Sequence, residues 1–200
     1  MTTAIAATGG TTVTKKTASN KALLVIDVQE NLLSPASRLH VDPDAVPFFI
    51  TQLNKTIKYF KDDKAHVLYV VNEWTNPLLN FLTGNVCKKG GNGTGIDKRV
   101  DLVSGTIYSK SKMNALSNKG LLQYLHQNSI TELYITGLFA EACVRGTAKG
   151  AIKKGYKTII IEDAVGSKNS LKKFRAMNVC KDRGVKVIRA NQLEPIDHIL

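Results

Sequence analysis

Residues 131–163 read TELYITGLFAEACVRGTAKGAIKKGYKTIIIED. Leu133 to Thr136 is apolar and β-rich, Gly137 permits a sharp turn, and Lys157 to Ile161 is a second β-branched run. Between them, residues 143–154 have helical character. Gly146 and Gly150 lie four apart and so share one helix face. Two glycines inside a helix cost roughly 1 kcal/mol each relative to alanine, so a packing reason is expected, with this face lying close against a sheet. Cys143 then falls in the helix's first turn, just beyond the carboxyl end of a strand. Free cysteines are commonly small buried hydrophobes, but in open α/β sheets chemistry collects at strand carboxyl ends. Unpaired amides and the helix dipole favour an anion there, so the thiol is expected to ionise more easily than usual.

Working outward, the same alternation recurs. Residues 22–28, ALLVIDV, form a near-continuous apolar run, as expected of a parallel strand covered on both faces. Asp27 interrupts that run at its carboxyl end, where a carboxylate is costly to bury unless paired or functional; the competing reading is a turn cap. Gln29 lies two residues on, within reach of the same cleft. A helix is predicted over 46–61 from Phe49, Leu53, Ile57 and Phe60, and a second strand over 67–71. Residues 72–105 form a long connection, read as a lid or binding loop with a short helix around 78–82. Its GGNGTG run lacks the lysine and Ser/Thr of a phosphate loop and reads as flexible. A short strand over 106–109 ends at Lys110, with Lys112 just beyond. Helices over 120–127 and 171–183 and a strand over 185–188 complete the series, with Gly184 as a C-cap. The pattern predicts a three-layer α/β/α sandwich on a mainly parallel, Rossmann-like sheet, in one domain over 21–200. The tail over 1–20 shows no apolar periodicity and is expected to be disordered.

The composition, 43% hydrophobic and 22% charged, is that of a soluble globular protein, and no run approaches the roughly 18 apolar residues of a membrane span. The three cysteines make no paired framework, so a reducing compartment, the cytoplasm, is expected. A formal charge of +12 raises the question of nucleic acid. The lysines are dispersed over predicted helices, Lys168, Lys172 and Lys173 among them, with no aromatic-studded basic motif. They are read as solvated faces.

Three segments, ALLVIDVQENLL with Asp27, YSKSKMNAL with Lys110, and ITGLFAEACVRGTAKGAIKKGYKTIIIEDAV with Cys143, resemble the signature segments of the isochorismatase-like cysteine hydrolases. That family includes nicotinamidases, N-carbamoylsarcosine amidohydrolases and isochorismatases. The resemblance spans about residues 22–190. It implies Asp27 as general base, Lys110 as its charged partner and Cys143 as nucleophile. It further implies a cis peptide between Leu138 and Phe139, an oxyanion hole from the amides of Phe139 and Cys143, and assembly as a dimer or tetramer; no cofactor is expected. Lys110 fits the spacing to Asn114 better than Lys112 does. The family often has a hydroxyl residue and an aspartate where this chain has Ala140 and Glu141, which bears on substrate contacts. Gln29, Trp74, Asn76 and Glu141 are expected to bind substrate.

Where nicotinamidases carry an Asp-Trp-His segment with a further histidine as metal ligands, this chain reads Glu73, Trp74, Thr75. Its histidines, His40, His66, His126 and His198, make no ligand pair, so no metal is expected. The expected activity is cleavage of a C–N bond in a small amide, imide or carbamoyl compound. Alternatives are a vinyl-ether hydrolase of the isochorismatase type, or a non-catalytic or redox-sensing binding protein on the same scaffold. A protease dyad of Cys143 and His126 is disfavoured by the place of His126 in the chain. On the hydrolase reading, Cys143 alkylates rapidly, and more slowly in Asp27→Asn or Lys110→Met.

Overall fold

Six strands run parallel in the computed structural model, which describes residues 19–193. The predicted tail therefore lies outside the described residues except for Ser19 and Asn20, as does His198. The strands are β1 (Lys21–Ile26), β2 (His66–Asn72), β3 (Ile107–Lys110), β4 (Glu132–Gly137), β5 (Lys157–Val165) and β6 (Lys186–Ile188). Their order in the sheet is β3-β2-β1-β4-β5-β6. Around them lie α1 (Glu30–Leu33), α2 (Val46–Asp62), α3 (Pro77–Thr83), α4 (Lys119–Gln127), α5 (Arg145–Lys153) and α6 (Ser170–Lys181).

Alternation along the buried strands sorts the core into two halves. Ala22, Leu24 and Ile26 of β1 point to one side, where Leu121 and Leu125 of α4, Ala148 and Ala151 of α5 and Met177 of α6 cover them. Leu23 and Val25 point to the other, against Phe49, Leu53, Ile57 and Phe60 of α2, the stripe expected from their spacing. This is the predicted three-layer sandwich, and no helix of the described residues is long and apolar enough to cross a membrane. Strand order reverses between β1 and β4, and such a reversal opens a crevice at the carboxyl ends of the strands.

Several local expectations are corrected. β1 stops at Ile26 rather than Val28, because Asp27 turns into the left-handed region at φ 55°. The chain around Cys143 is a π-helical turn, Ala140–Val144, and the α-helix begins only at Arg145. The glycine face of α5 meets the segment after β3 rather than the sheet. A Cβ at Gly150 would stand 2.2 Å from Asn114 Nδ2, and one at Gly146 3.1 Å from Met113 Cβ. The glycine-rich run over 90–95 is tied down, not loose: Asn31 donates from Nδ2 to Asn92 O (2.6 Å) and Val86 O (3.1 Å), while Asn31 N–H reaches Gly93 O (2.9 Å).

Candidate active site

The crevice at the strand reversal is built by backbone before side chains enter it. Gly137 ends β4 at φ 103°, where an added Cβ would lie 2.0 Å from Ile26 O, so only glycine allows β4 to close this tightly on β1. The next amide, Leu138 N–H, donates to Ile26 O (2.7 Å), and Gly166 N–H at the end of β5 donates to Gly137 O (3.0 Å). Ala140 N–H in turn reaches Gly166 O (2.9 Å). The turn carrying Cys143 is thus fastened to the ends of two strands. The Leu138–Phe139 peptide is cis, as the resemblance implied.

Asp27, Lys110 and Cys143 meet here. Lys110 closes β3, which stands two strands from β1, roughly 10 Å away at ordinary sheet spacing. Its four-carbon stem spans that gap: Nζ donates to Asp27 Oδ2 at 2.7 Å and to Cys143 Sγ at 3.2 Å. Both ends of the ion pair are buried, with side-chain exposures of 0% and 2%. Asp27 Oδ1 is enclosed too and has no hydrogen bond among the described residues, although the carboxylate lies close enough for its charge to act on the thiol.

Burial dominates the electrostatics. It raises the Asp27 carboxyl above its usual range, against the opposing pull of Lys110. For Lys110, burial works to lower the ammonium, but the charges of Asp27 and Cys143 outweigh it, and the amine is held protonated. Burial, then the Asp27 charge, pushes the Cys143 thiol up to about 12, with Lys110 working the other way. The expectation of an easily ionised thiol is therefore corrected. Enclosure outweighs the helix terminus, and the resting sulfur carries its proton.

Phe139 N–H finds no acceptor among the described residues, and Cys143 N–H finds none outside its own helical turn. The unpaired Phe139 amide, at a helix start, is a ready donor to a developing negative charge.

A cavity of about 370 Å³ opens onto Asp27 and Cys143, within the size range of small-molecule sites. Trp74, Phe139 and Glu141 line it. Trp74 is steered by Asn72, whose amide, oriented to donate to Lys110 O (3.0 Å), accepts from Trp74 Nε1–H (3.1 Å). Gln29 and Asn76 are not among the lining residues. Gln29, fully buried, accepts from Asn72 N–H (2.8 Å) and donates to Asn72 O (3.1 Å) and Thr94 O (2.6 Å), binding the end of β2 to the glycine-rich run. Asn76 caps α3 by accepting from Leu79 N–H (3.0 Å). His126 is exposed on α4 and does not line the cavity. Lining residues missed in the sequence are Cys87, Met113, Lys168 and Lys172, together with Lys112, weighed there only as a stand-in for Lys110. The signal available for Lys168 and Lys172 was their place just beyond the carboxyl end of β5.

Among the described residues no group of three or more His, Cys, Asp or Glu side chains could hold a metal ion, so the donor set does not fit a divalent centre.

The chain matches the isochorismatase domain family over residues 21–192. It is 25% identical to an uncharacterized isochorismatase family protein of Bacillus subtilis, over 72% of this chain and 76% of that one. It is 34% identical to the N-carbamoylsarcosine amidase of an Arthrobacter species, over 36% of this chain and 28% of the relative. Among solved structures, the pyrazinamidase of Pyrococcus horikoshii in complex with zinc superposes with a TM-score of 0.74 at 26% identity, covering 86% of this chain and 99% of that one. With the parallel sheet, the strand-end crevice and a match over most of its length, the chain belongs to the isochorismatase family of hydrolases.

Proposed function

We propose that the protein is a cysteine hydrolase that cleaves the C–N bond of a small amide, imide or carbamoyl compound through a thioester on Cys143. The observation carrying this reading is the single ammonium of Lys110, bonded at once to the Asp27 carboxylate and the Cys143 sulfur at the wall of a small-molecule cavity. The amidase names of two relatives support the same bond type.

The chemistry follows from the proton inventory. Cys143 rests as a thiol, so attack on the substrate carbonyl requires that its proton leave as the S–C bond forms. Asp27 is the acceptor, and its raised pKa narrows the mismatch with the thiol. The ammonium of Lys110 offsets the negative charge that grows on sulfur, and the amides of Phe139 and Cys143 hold the charge that grows on the carbonyl oxygen. As the C–N bond breaks, Asp27 returns the proton to the departing nitrogen. Water then enters, Asp27 takes its proton, hydroxide adds to the thioester, and the carboxylate product leaves as the thiol is restored.

The test is ammonia release from a panel of small primary amides and carbamoyl compounds, with mass spectrometry of the protein during turnover. Wild type is expected to release ammonia and to carry an acyl adduct on the peptide containing Cys143. Cys143→Ala is expected to do neither while keeping its melting temperature within a few degrees. Full turnover by Cys143→Ala would end the proposal.

A further inference from the structure

We propose that this cavity selects small amides that carry a carboxylate, with Lys112, Lys168 and Lys172 at its wall receiving that anion while the scissile carbonyl lies over Cys143. The inference rests on the hydrolase reading above for the identity of the reacting bond, but its charge preference is a binding property that can be measured separately.

The three lysines are exposed residues that also line the cavity, from two sides of the crevice. Lys112 follows β3, and Lys168 and Lys172 flank the start of α6, beyond the end of β5. None has an ion-pair partner among the described residues. The carboxylates lining the same space are already engaged. Asp27 is paired with Lys110, while Glu141 accepts from the Ser167 hydroxyl at 2.7 Å and from Lys168 N–H at 3.3 Å. Both donors to Glu141 are neutral, so its charge persists, but the three lysines outnumber it and the formal charge of the wall is positive. Ammoniums on the outer surface attract anions weakly, because water and salt screen them. A concave site with apolar walls focuses the same charges onto whatever enters. Here Leu32, Leu39, Trp74, Leu79, Met113 and Phe139 make most of the wall apolar, with Asn72, Ser111 and Glu141 as its uncharged and acidic polar members. A molecule complementary to it has an anion at one end, a short apolar body and an amide at the other. A neutral amide would leave the positive excess of the wall without a counterpart, and a cationic one would be repelled.

The test uses matched pairs: ω-amidic acids of four to six carbons and N-carbamoyl amino acids, each against its uncharged primary amide. Ammonia release gives kcat/KM, and calorimetry on the full-length Cys143→Ala protein gives binding without turnover. The acid of a pair is expected to exceed its neutral counterpart at least tenfold in one or both readouts. That ratio should shrink with added salt and collapse toward one in the combined Lys112→Met, Lys168→Met, Lys172→Met protein. A control with Lys55, Lys149 and Lys153 changed to methionine, lowering the net charge equally on exposed helix faces, should keep it. Equal handling of acids and neutral amides, absence of binding by any acid, or an equal loss in the control overturns the proposal. If acids bind selectively to the alanine protein but wild type releases no ammonia from any pair, the anion site stands and the hydrolase reading fails.

Discussion

On the proposed mechanism, Cys143 is a nucleophile held in reserve. A sulfur bonded by an ammonium would ordinarily be expected to rest as a thiolate, but enclosure and the Asp27 carboxylate outweigh Lys110 and keep the thiol pKa near 12. Two measurements follow. Iodoacetamide should label Cys143 slowly at neutral pH and about tenfold faster per pH unit upward, since only the thiolate reacts. Asp27→Asn removes the charge that opposes ionisation and should speed labelling, whereas Lys110→Met should slow it. The first of these reverses the effect expected from the sequence, where Asp27 was read only as a base and its charge acting on an enclosed thiol was not visible. Cys87 lines the same cavity, also raised to about 12, so the labelled peptide must be mapped. On the proposed mechanism, turnover needs Asp27 ionised to receive the thiol proton, and its pKa is raised chiefly by burial. The sign is fixed: kcat/KM should fall as pH drops through that raised value, so its acid limb should lie above the pH range where an exposed aspartate titrates. A limb at or below that range would contradict the assignment of Asp27 as base.

Among the elements, α5 shows best how packing decides what composition only suggests. In a free helix, Gly150→Ala would add about 1 kcal/mol of stability. Here the methyl would meet the whole Asn114 amide, 2.2 Å from Nδ2 and 2.7 Å from Oδ1, and that oxygen caps the following turn by accepting from Leu116 N–H at 2.9 Å. The expected outcome is a net loss of about 1–3 kcal/mol in urea denaturation, the usual cost of overpacking, with KM raised because Lys112 and Met113 precede the displaced residue. A stabilised Gly150→Ala protein would show that the contact yields freely. The strands and helices themselves were legible, because buried parallel strands are apolar runs and α2 repeats its stripe at helical spacing. The π-helical turn over Ala140–Val144 was not. Its winding is set by bonds to partners distant in the chain, such as Ala140 N–H to Gly166 O, and no local residue preference announces it. The roles of Gln29 and Asn76 were hidden for the same reason, since a polar side chain facing a cleft and one tying down backbone have the same sequence signature.

At the scale of the whole molecule, the sheet forces three segments far apart in the chain to share one buried electrostatic centre, and it carries the energetic burden of enclosing it. That three polar residues at strand ends would converge could be argued from the sequence; that Lys110 must reach across β2 from an edge strand could not, because strand order is a property of the crossovers. A buried ion pair contributes little to stability relative to apolar packing, yet removing one partner leaves the other charge uncompensated, at about 3–5 kcal/mol. Asp27→Asn should therefore destabilise the fold by about that much, since the Lys110 ammonium is left enclosed, and Lys110→Met likewise strands the carboxylate. The combined Asp27→Asn, Lys110→Met protein removes both charges and should be more stable than either single variant, near or above wild type, while all three fail to turn over substrate. Urea denaturation of the four proteins at pH 7 closes the cycle. Simple additivity of the two losses would mean that the pair is not coupled through a dry interior. A double variant that recovers stability without activity would show that the charges are retained for chemistry and not for the fold.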